Sequence, residues 1–78
     1  MIYGQVPPSS QEKAVEYFKK AISIAPNLIV HHFAYAQALD RMGKKEEARA
    51  EYQKVLQLTA TDREDREDQR EAAKALKR

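Results

Sequence analysis

Two stretches of this 78-residue chain repeat each other at an interval of 34 residues. Charged, small and large apolar side chains recur in the same order: Glu12 with Glu46, Ala14 with Ala48, Phe18 with Tyr52, Lys20 with Lys54, Ile22 with Leu56 and Ile24 with Leu58. A period of roughly 20 to 50 residues is typical of stacked supersecondary units, each of which buries its apolar face only against its neighbours. The repeat therefore predicts an array of such units.

Helical spacing of apolar residues and local breakers define the elements of the array. Ser9 with Glu12 has the pattern of a capping box, which predicts a helix over residues 10–25 that ends before Pro26. A second helix is predicted over 28–42 and a third over 44–58, with Gly43 as the left-handed residue between them. Helices joined by so short a turn are antiparallel neighbours.

The two ends of the chain differ from the middle. Residues 1–9 show no helical period and contain Pro7-Pro8, which indicates an N-terminal arm. Thr61 with Glu64 forms a second capping box and opens a polar helix whose apolar residues are few. The predicted organisation is an arm over 1–9, helices over 10–60 and a C-terminal capping helix over 61–78.

The order of small and aromatic residues resembles that of the tetratricopeptide repeat (TPR) over residues 10–60, in the run Ala14, Phe18, Ala21 and Pro26. This resemblance implies an all-α, right-handed superhelix of antiparallel helix pairs, with about one and a half repeats before the capping helix. It implies a non-enzymatic protein-interaction module or scaffold. His32 and Tyr35 stand where the family often has Trp and Leu, and Ala60 replaces the closing proline of the complete repeat.

The arm and the tail carry a second resemblance. The runs YGQVPPSSQEKAVEYFKKA and TDREDREDQREAAKAL are similar to the C-terminal part of the regulator of microtubule dynamics family. This resemblance implies a longer parent protein with further repeats upstream, which acts through protein contacts.

The second helix carries the predicted partner-binding face. In TPR arrays the first helix of each pair lines the inner surface, and here that face holds Val30, Phe33, Gln37, Asp40 and Arg41. A groove centred on Phe33 would accept an apolar or extended peptide. Only Arg41 matches the Lys, Asn and Arg set with which some TPR proteins hold a peptide carboxy-terminus, so a carboxylate clamp is not expected. The alternative is that Val30 and Phe33 are covered within the array.

The first helix has no preceding helix to cover its outer face. Either the arm folds back over it or a second copy covers it, and the apolar area at stake favours a homodimer. The residues predicted to mediate self-association are Ile2, Tyr3, Val6, Ala14, Phe18 and Ile22.

Composition removes several classes of function. The chain has no cysteine, so it has no disulfide and no thiolate zinc site, and it has no apolar run of about 18 residues that would span a membrane. Adjacent His31 and His32 point about 100° apart on a helix and cannot share a metal ion. We expect His32 in the packing layer between helices and His31 toward solvent. Arginines interleave the acidic series Asp62, Asp65, Asp68 and Glu71. We expect a cytoplasmic protein without cofactor, metal or catalytic activity.

A nucleic-acid-binding domain is the alternative function. Net charge is only +2, but phosphate binding depends on clustered cations more than on net charge. The surface glutamates Glu46, Glu47 and Glu51 reduce the positive charge of the candidate patch, and no aromatic platform accompanies it. Its members are Lys19, Lys20, Arg41, Lys44, Lys45 and Arg49.

Overall fold

A computed structural model describes residues 8–77, with side chains described from residue 11 onward. Four helices make up this part of the chain, and it contains no strand: α1 (Pro8–Ile24), α2 (Ile29–Arg41), α3 (Lys45–Gln57) and α4 (Arg63–Lys77). The all-α prediction is confirmed, and each helix begins and ends within two residues of its predicted bounds. The starts of α1 and α4 each differ by two residues. Proline fits the first helical turn because its missing N–H has no intrahelical acceptor there, so Ser9 lies inside the helix and does not precede it.

Gly43 forms the turn between α2 and α3, as predicted. Its φ is +80°, in the left-handed region that side chains with a Cβ rarely adopt. This conformation lets the N–H groups of Gly43 and Lys44 donate to the carbonyls of Asp40 and Leu39 at the end of α2. The tight turn sets α3 antiparallel to α2.

The buried core lies between α2, α3 and α4, and none of the α1 side chains described, from residue 11 onward, is fully buried. Along the array α1 packs against α2, α2 against α3, and α4 against both α3 and α2. Val15, Phe18 and Ile22 of α1 are partly buried against this cluster. The buried apolar residues are Ile29, Tyr35, Ala36, Leu39, Ala48, Tyr52, Val55 and Ala72.

A buried polar link ties the α1–α2 turn to α3. His32 is 5% exposed; its Nδ1 lies 2.8 Å from Glu51 Oε1 and its Nε2 lies 2.7 Å from the Pro26 carbonyl oxygen. Lys54 Nζ donates to the other carboxylate oxygen of Glu51 at 3.3 Å. The sequence places His32 in the packing layer, but it groups Glu51 with the surface charges. That placement of Glu51 is wrong, because the residue is only 8% exposed.

Side-chain hydrogen bonds fix the α3–α4 connection. Gln69 Nε2 donates to the carbonyl oxygens of Val55 at 3.1 Å and Leu58 at 2.7 Å, and so satisfies acceptors that the end of α3 leaves open. The predicted cap of α4 is wrong by one residue. The Asp65 N–H donates to Asp62 Oδ1, and Asp65 Oδ2 accepts hydrogen bonds from the backbone N–H and the hydroxyl of Thr61.

Candidate functional site

A groove runs between α2 and α4, with α3 beneath it. Because α4 turns back along α3, it comes to lie beside α2. Two depressions of about 300 and 280 Å³ adjoin here and share Tyr52 and Ala75. We call this surface the α2–α4 groove; its lining residues are Phe33, Gln37, Asp40, Lys45, Ala48, Arg49, Tyr52, Glu71, Lys74 and Ala75.

The floor of the groove is aromatic. Phe33 is half-buried, and its ring meets that of Tyr52 edge to face, with centroids 6.1 Å apart and an interplanar angle of 61°. Such a pair is rigid and offers apolar area at low cost in side-chain entropy. Ala75 of α4 adds a small residue beside the two rings, which leaves room above them. The groove can therefore hold an apolar side chain.

The charged residues of the groove rim form ion pairs or hydrogen bonds within the protein. Lys45 Nζ lies 2.5 Å from Asp40 Oδ1, and Lys74 Nζ lies 3.6 Å from Glu71 Oε1. Arg49 Nη1 donates to the Leu76 carbonyl oxygen at 3.4 Å. Positive and negative side chains thus both border an apolar floor, and such a surface suits an extended segment better than a strongly charged ligand.

The structure brings together three of the five residues predicted for the partner-binding face. Phe33, Gln37 and Asp40 line the α2–α4 groove. Val30 and Arg41 are exposed on α2 and do not line it. The prediction missed Tyr52, although the repeat aligns Tyr52 with Phe18 and so marks it as a packing residue. It also missed the α4 contribution, for which the apolar stripe of Ala72, Ala75 and Leu76 is the signal.

Two of the residues predicted for self-association pack against the core instead of forming an open face. Phe18 and Ile22 pack on the core, and the ring of Phe18 lies 6.2 Å from that of Tyr35. Ala14 is half-buried. Ile2, Tyr3 and Val6 fall outside the described residues. The large apolar side chains that α1 exposes are instead Tyr17 and Ile24.

The other candidate sites are dispersed or occupied by protein contacts. Within residues 8–77 no three His, Asp or Glu side chains are placed to hold a metal ion. Two of the six cations of the predicted basic patch are engaged, Lys45 with Asp40 and Arg49 with the Leu76 carbonyl. None of the described helices is both long enough and apolar enough to cross a bilayer.

Three side chains have a pKa that is shifted from its ordinary value. Hydrogen bonds from the Thr61 backbone and hydroxyl lower the pKa of Asp65. Burial raises the pKa of Asp68, and the neighbouring Asp65, Glu64, Glu67 and Asp62 raise it further. Burial also raises the pKa of Tyr35, helped by Glu51 and Glu47. None of these groups lines the α2–α4 groove.

Comparison with known protein families identifies a match over the full length of the sequence. A family model described as "Regulator of microtubule dynamics protein 1-3" matches residues 1–78. No curated protein and no solved structure matches this chain.

Proposed function

Since the chain belongs to the regulator of microtubule dynamics protein 1-3 family, we propose that it is a non-enzymatic protein-interaction module. It binds an extended, largely apolar segment of a protein partner in the α2–α4 groove. The family description supports a partner from the microtubule system. A cytoplasmic location and a helix organisation of the tetratricopeptide type, with α4 as capping helix, belong to the same proposal.

The α2–α4 groove is the observation that carries this function. It presents two packed aromatic rings and a small alanine, enclosed by paired charges, on helices whose buried faces hold them rigidly. Its depressions lie at the lower limit of the volumes typical of small-molecule sites, roughly 300 Å³. They suit one or two side chains of a peptide. The antiparallel pair α2–α3 and the 34-residue repeat support the repeat-type organisation.

The alternative of nucleic-acid binding has less support. Lys45 and Arg49 already have protein partners, so the patch offers phosphate fewer available cations than the sequence count indicates. The two functions differ in their dependence on salt, because phosphate contacts weaken steeply between about 50 and 200 mM salt whereas apolar contacts do not.

Co-sedimentation with microtubules, with and without their associated proteins, tests the proposal. We expect the chain to pellet with one of these preparations. The variant Ala75→Arg fills the groove and should weaken pelleting by about tenfold or more. The matched control Ala50→Arg places the same side chain on the exposed face of α3 and should pellet like the wild type.

A second matched pair of variants keeps the test valid if a variant of the first pair does not fold. Gln37→Arg lies in the groove, and Gln53→Arg lies on the exposed face of α3. Circular dichroism checks that every variant keeps its helices. Equal loss of pelleting in the groove variant and its control, in both matched pairs, would contradict the proposed function. So would the absence of pelleting together with RNA binding that disappears at 200 mM salt.

A further inference from the structure

The outer side of α1 is an apolar ridge that the described part of the molecule leaves open. Within residues 8–77, α1 packs against α2 alone, and every apolar residue of α1 with a described side chain stays at least partly exposed. Tyr17 is 66% exposed and Ile24 is 75% exposed. Together with the half-buried Ala14 and Ala21 they form a stripe that we call the α1 ridge.

The spacing of the α1 ridge is that of a helix-packing seam. Its residues follow one another at intervals of three and four, and at 100° per residue they lie within an arc of about 80°. Small residues alternate with large ones along the stripe. Such alternation lets a second helix approach closely at Ala14 and Ala21 while Tyr17 and Ile24 insert between its side chains. An extended peptide would not use this spacing.

The charge beside the ridge identifies the chemistry of the partner. The open border of the ridge is formed by Lys13 and Lys20, which are both exposed. Neither lysine forms an ion pair with another described residue. The acidic residues Glu12 and Glu16 of α1 lie further round the helix, beyond the two lysines. A helix seated on the ridge therefore meets positive charge along one edge.

This border argues against a second copy as the occupant. In a two-fold symmetric contact between two antiparallel α1 ridges, the two lysines would face the same two lysines of the other copy. With the helices parallel, the lysines would face the α2 side of the other copy, and the one acidic residue of α2, Asp40, already pairs with Lys45. Like charges opposed across a contact oppose association. A helix with acidic side chains beside its apolar stripe would instead form complementary pairs.

From the seam geometry and the lysine border, we propose that the α1 ridge binds an amphipathic α-helix whose apolar stripe is bordered by Asp or Glu. The helix lies along α1 and covers Tyr17 and Ile24, and its acidic edge faces Lys13 and Lys20. This surface is separate from the α2–α4 groove, so the proposal does not depend on the function assigned to that groove.

Two synthetic helical peptides of about three heptads test this proposal. Both carry a leucine stripe, bordered by glutamate in one peptide and by lysine in the other. Fluorescence anisotropy with labelled peptide and the full 78-residue chain measures their affinities. We expect the glutamate peptide to bind about tenfold more tightly or better. The double variant Lys13→Glu/Lys20→Glu should reverse this preference.

Ridge variants and the molar mass separate the remaining outcomes. Tyr17→Glu and Ile24→Glu should each weaken binding of the glutamate peptide about tenfold, whereas Leu56→Glu, at an exposed apolar residue of α3, should leave it unchanged. Light scattering over a hundredfold dilution should give a monomer. Equal affinity for both peptides, or an unchanged preference in the lysine variant, would overturn the proposal. So would a dimer that Tyr17→Glu dissociates, because the ridge would then bind a second copy.

Discussion

His32 illustrates how one residue couples two parts of the fold. A carbonyl oxygen only accepts hydrogen bonds, so Nε2 of His32 must carry the proton that it donates to Pro26. The opposite nitrogen faces a carboxylate at 2.8 Å, so a further proton lies between His32 and Glu51, on one of the two. This arrangement satisfies both buried groups. It fixes the position of the turn before α2 relative to the middle of α3.

Loss of the Glu51 side chain should destabilise the fold. Glu51→Ala leaves Nδ1 of the buried His32 without its partner and removes the acceptor of Lys54, and a buried hydrogen bond to a charged group contributes about 1.5–3 kcal/mol. We expect the free energy of unfolding, measured with urea, to fall by a similar amount. The control Glu47→Ala, at an exposed residue on the same helix, should change it by less than about 0.5 kcal/mol. Equal changes would mean that the buried link adds no stability.

Asp65 should make the free energy of unfolding depend on pH in the acidic range. Its pKa is lowered by hydrogen bonds from Thr61, so its folded pKa lies below its unfolded one. The resulting stabilisation is present above the ordinary value of about 3.9 and is lost as the pH falls through the folded pKa. Asp65→Asn should therefore lower the free energy of unfolding near pH 7, and its difference from the wild type should shrink below about pH 4. The neighbouring Glu64→Gln serves as control.

The shift at Asp68 has the opposite sign. Its pKa is raised by burial and by four acidic neighbours, so its ionised form costs stability near pH 7. Asp68→Asn should raise the free energy of unfolding at that pH, and the gain should vanish in acid, where the wild-type carboxyl is already neutral. A variant that is less stable than the wild type at pH 7 would contradict this expectation. The exposed Glu67→Gln is the matched control.

At the scale of the elements, three helix ends obtain their hydrogen-bond partners in three different ways. At the end of α2 the backbone N–H of Gly43 donates to a free carbonyl, and at the end of α3 the side chain of Gln69 in α4 does so. At the start of α4 the Asp62 side chain accepts a hydrogen bond from the Asp65 N–H. Each device supplies partners to backbone groups that a helix end leaves open. The helices are consequently held at their ends as well as along their packed faces.

Gly43 allows a test of one such device without steric complication. A Cβ added at this position meets no heavy atom within 4 Å, so any cost of substitution comes from the φ of +80°. We expect Gly43→Ala to lower the free energy of unfolding by about 1 kcal/mol. Gly43→Asn should cost less, because asparagine tolerates the left-handed region. An alanine variant as stable as the wild type would show that the turn relaxes to another conformation.

At the scale of the whole molecule, stability is distributed unevenly along the array. The middle and the C-terminal helix share the buried core, whereas α1 contacts α2 alone and has no fully buried residue with a described side chain. Local opening requires less free energy where fewer apolar residues are buried. The end that carries the α1 ridge is therefore the less stable end.

Native-state hydrogen exchange should show this gradient. We expect amides in the middle of α1 to exchange at least about tenfold faster than those of α2 and α3, which corresponds to about 1.4 kcal/mol of opening free energy. A helix peptide bound to the α1 ridge should slow exchange in α1 and have little effect on α3. Equal protection of α1 and α3 would show instead that the described helices open as one unit.

The local features of this protein could be read from its amino-acid sequence. The 34-residue repeat, the helical spacing of apolar residues, Gly43 and the prolines located the four helices to within two residues, because these signals act between residues close in the chain. The runs in the arm and tail indicated the family that the comparison confirmed.

Which charged or polar residues are buried, and which apolar residues are exposed, depends on how the helices pack. In the sequence nothing separates Glu51 from a surface glutamate, and it is buried because α2 places His32 opposite it. Gln69 likewise has the pattern of a solvent-facing residue, and it bonds to α3 because α4 folds against the end of that helix. Phe18 and Tyr17 are adjacent, yet one packs on Tyr35 and the other is open to solvent. Helix periodicity gives the faces of an isolated helix, but the rotation at which two helices pack depends on both surfaces together.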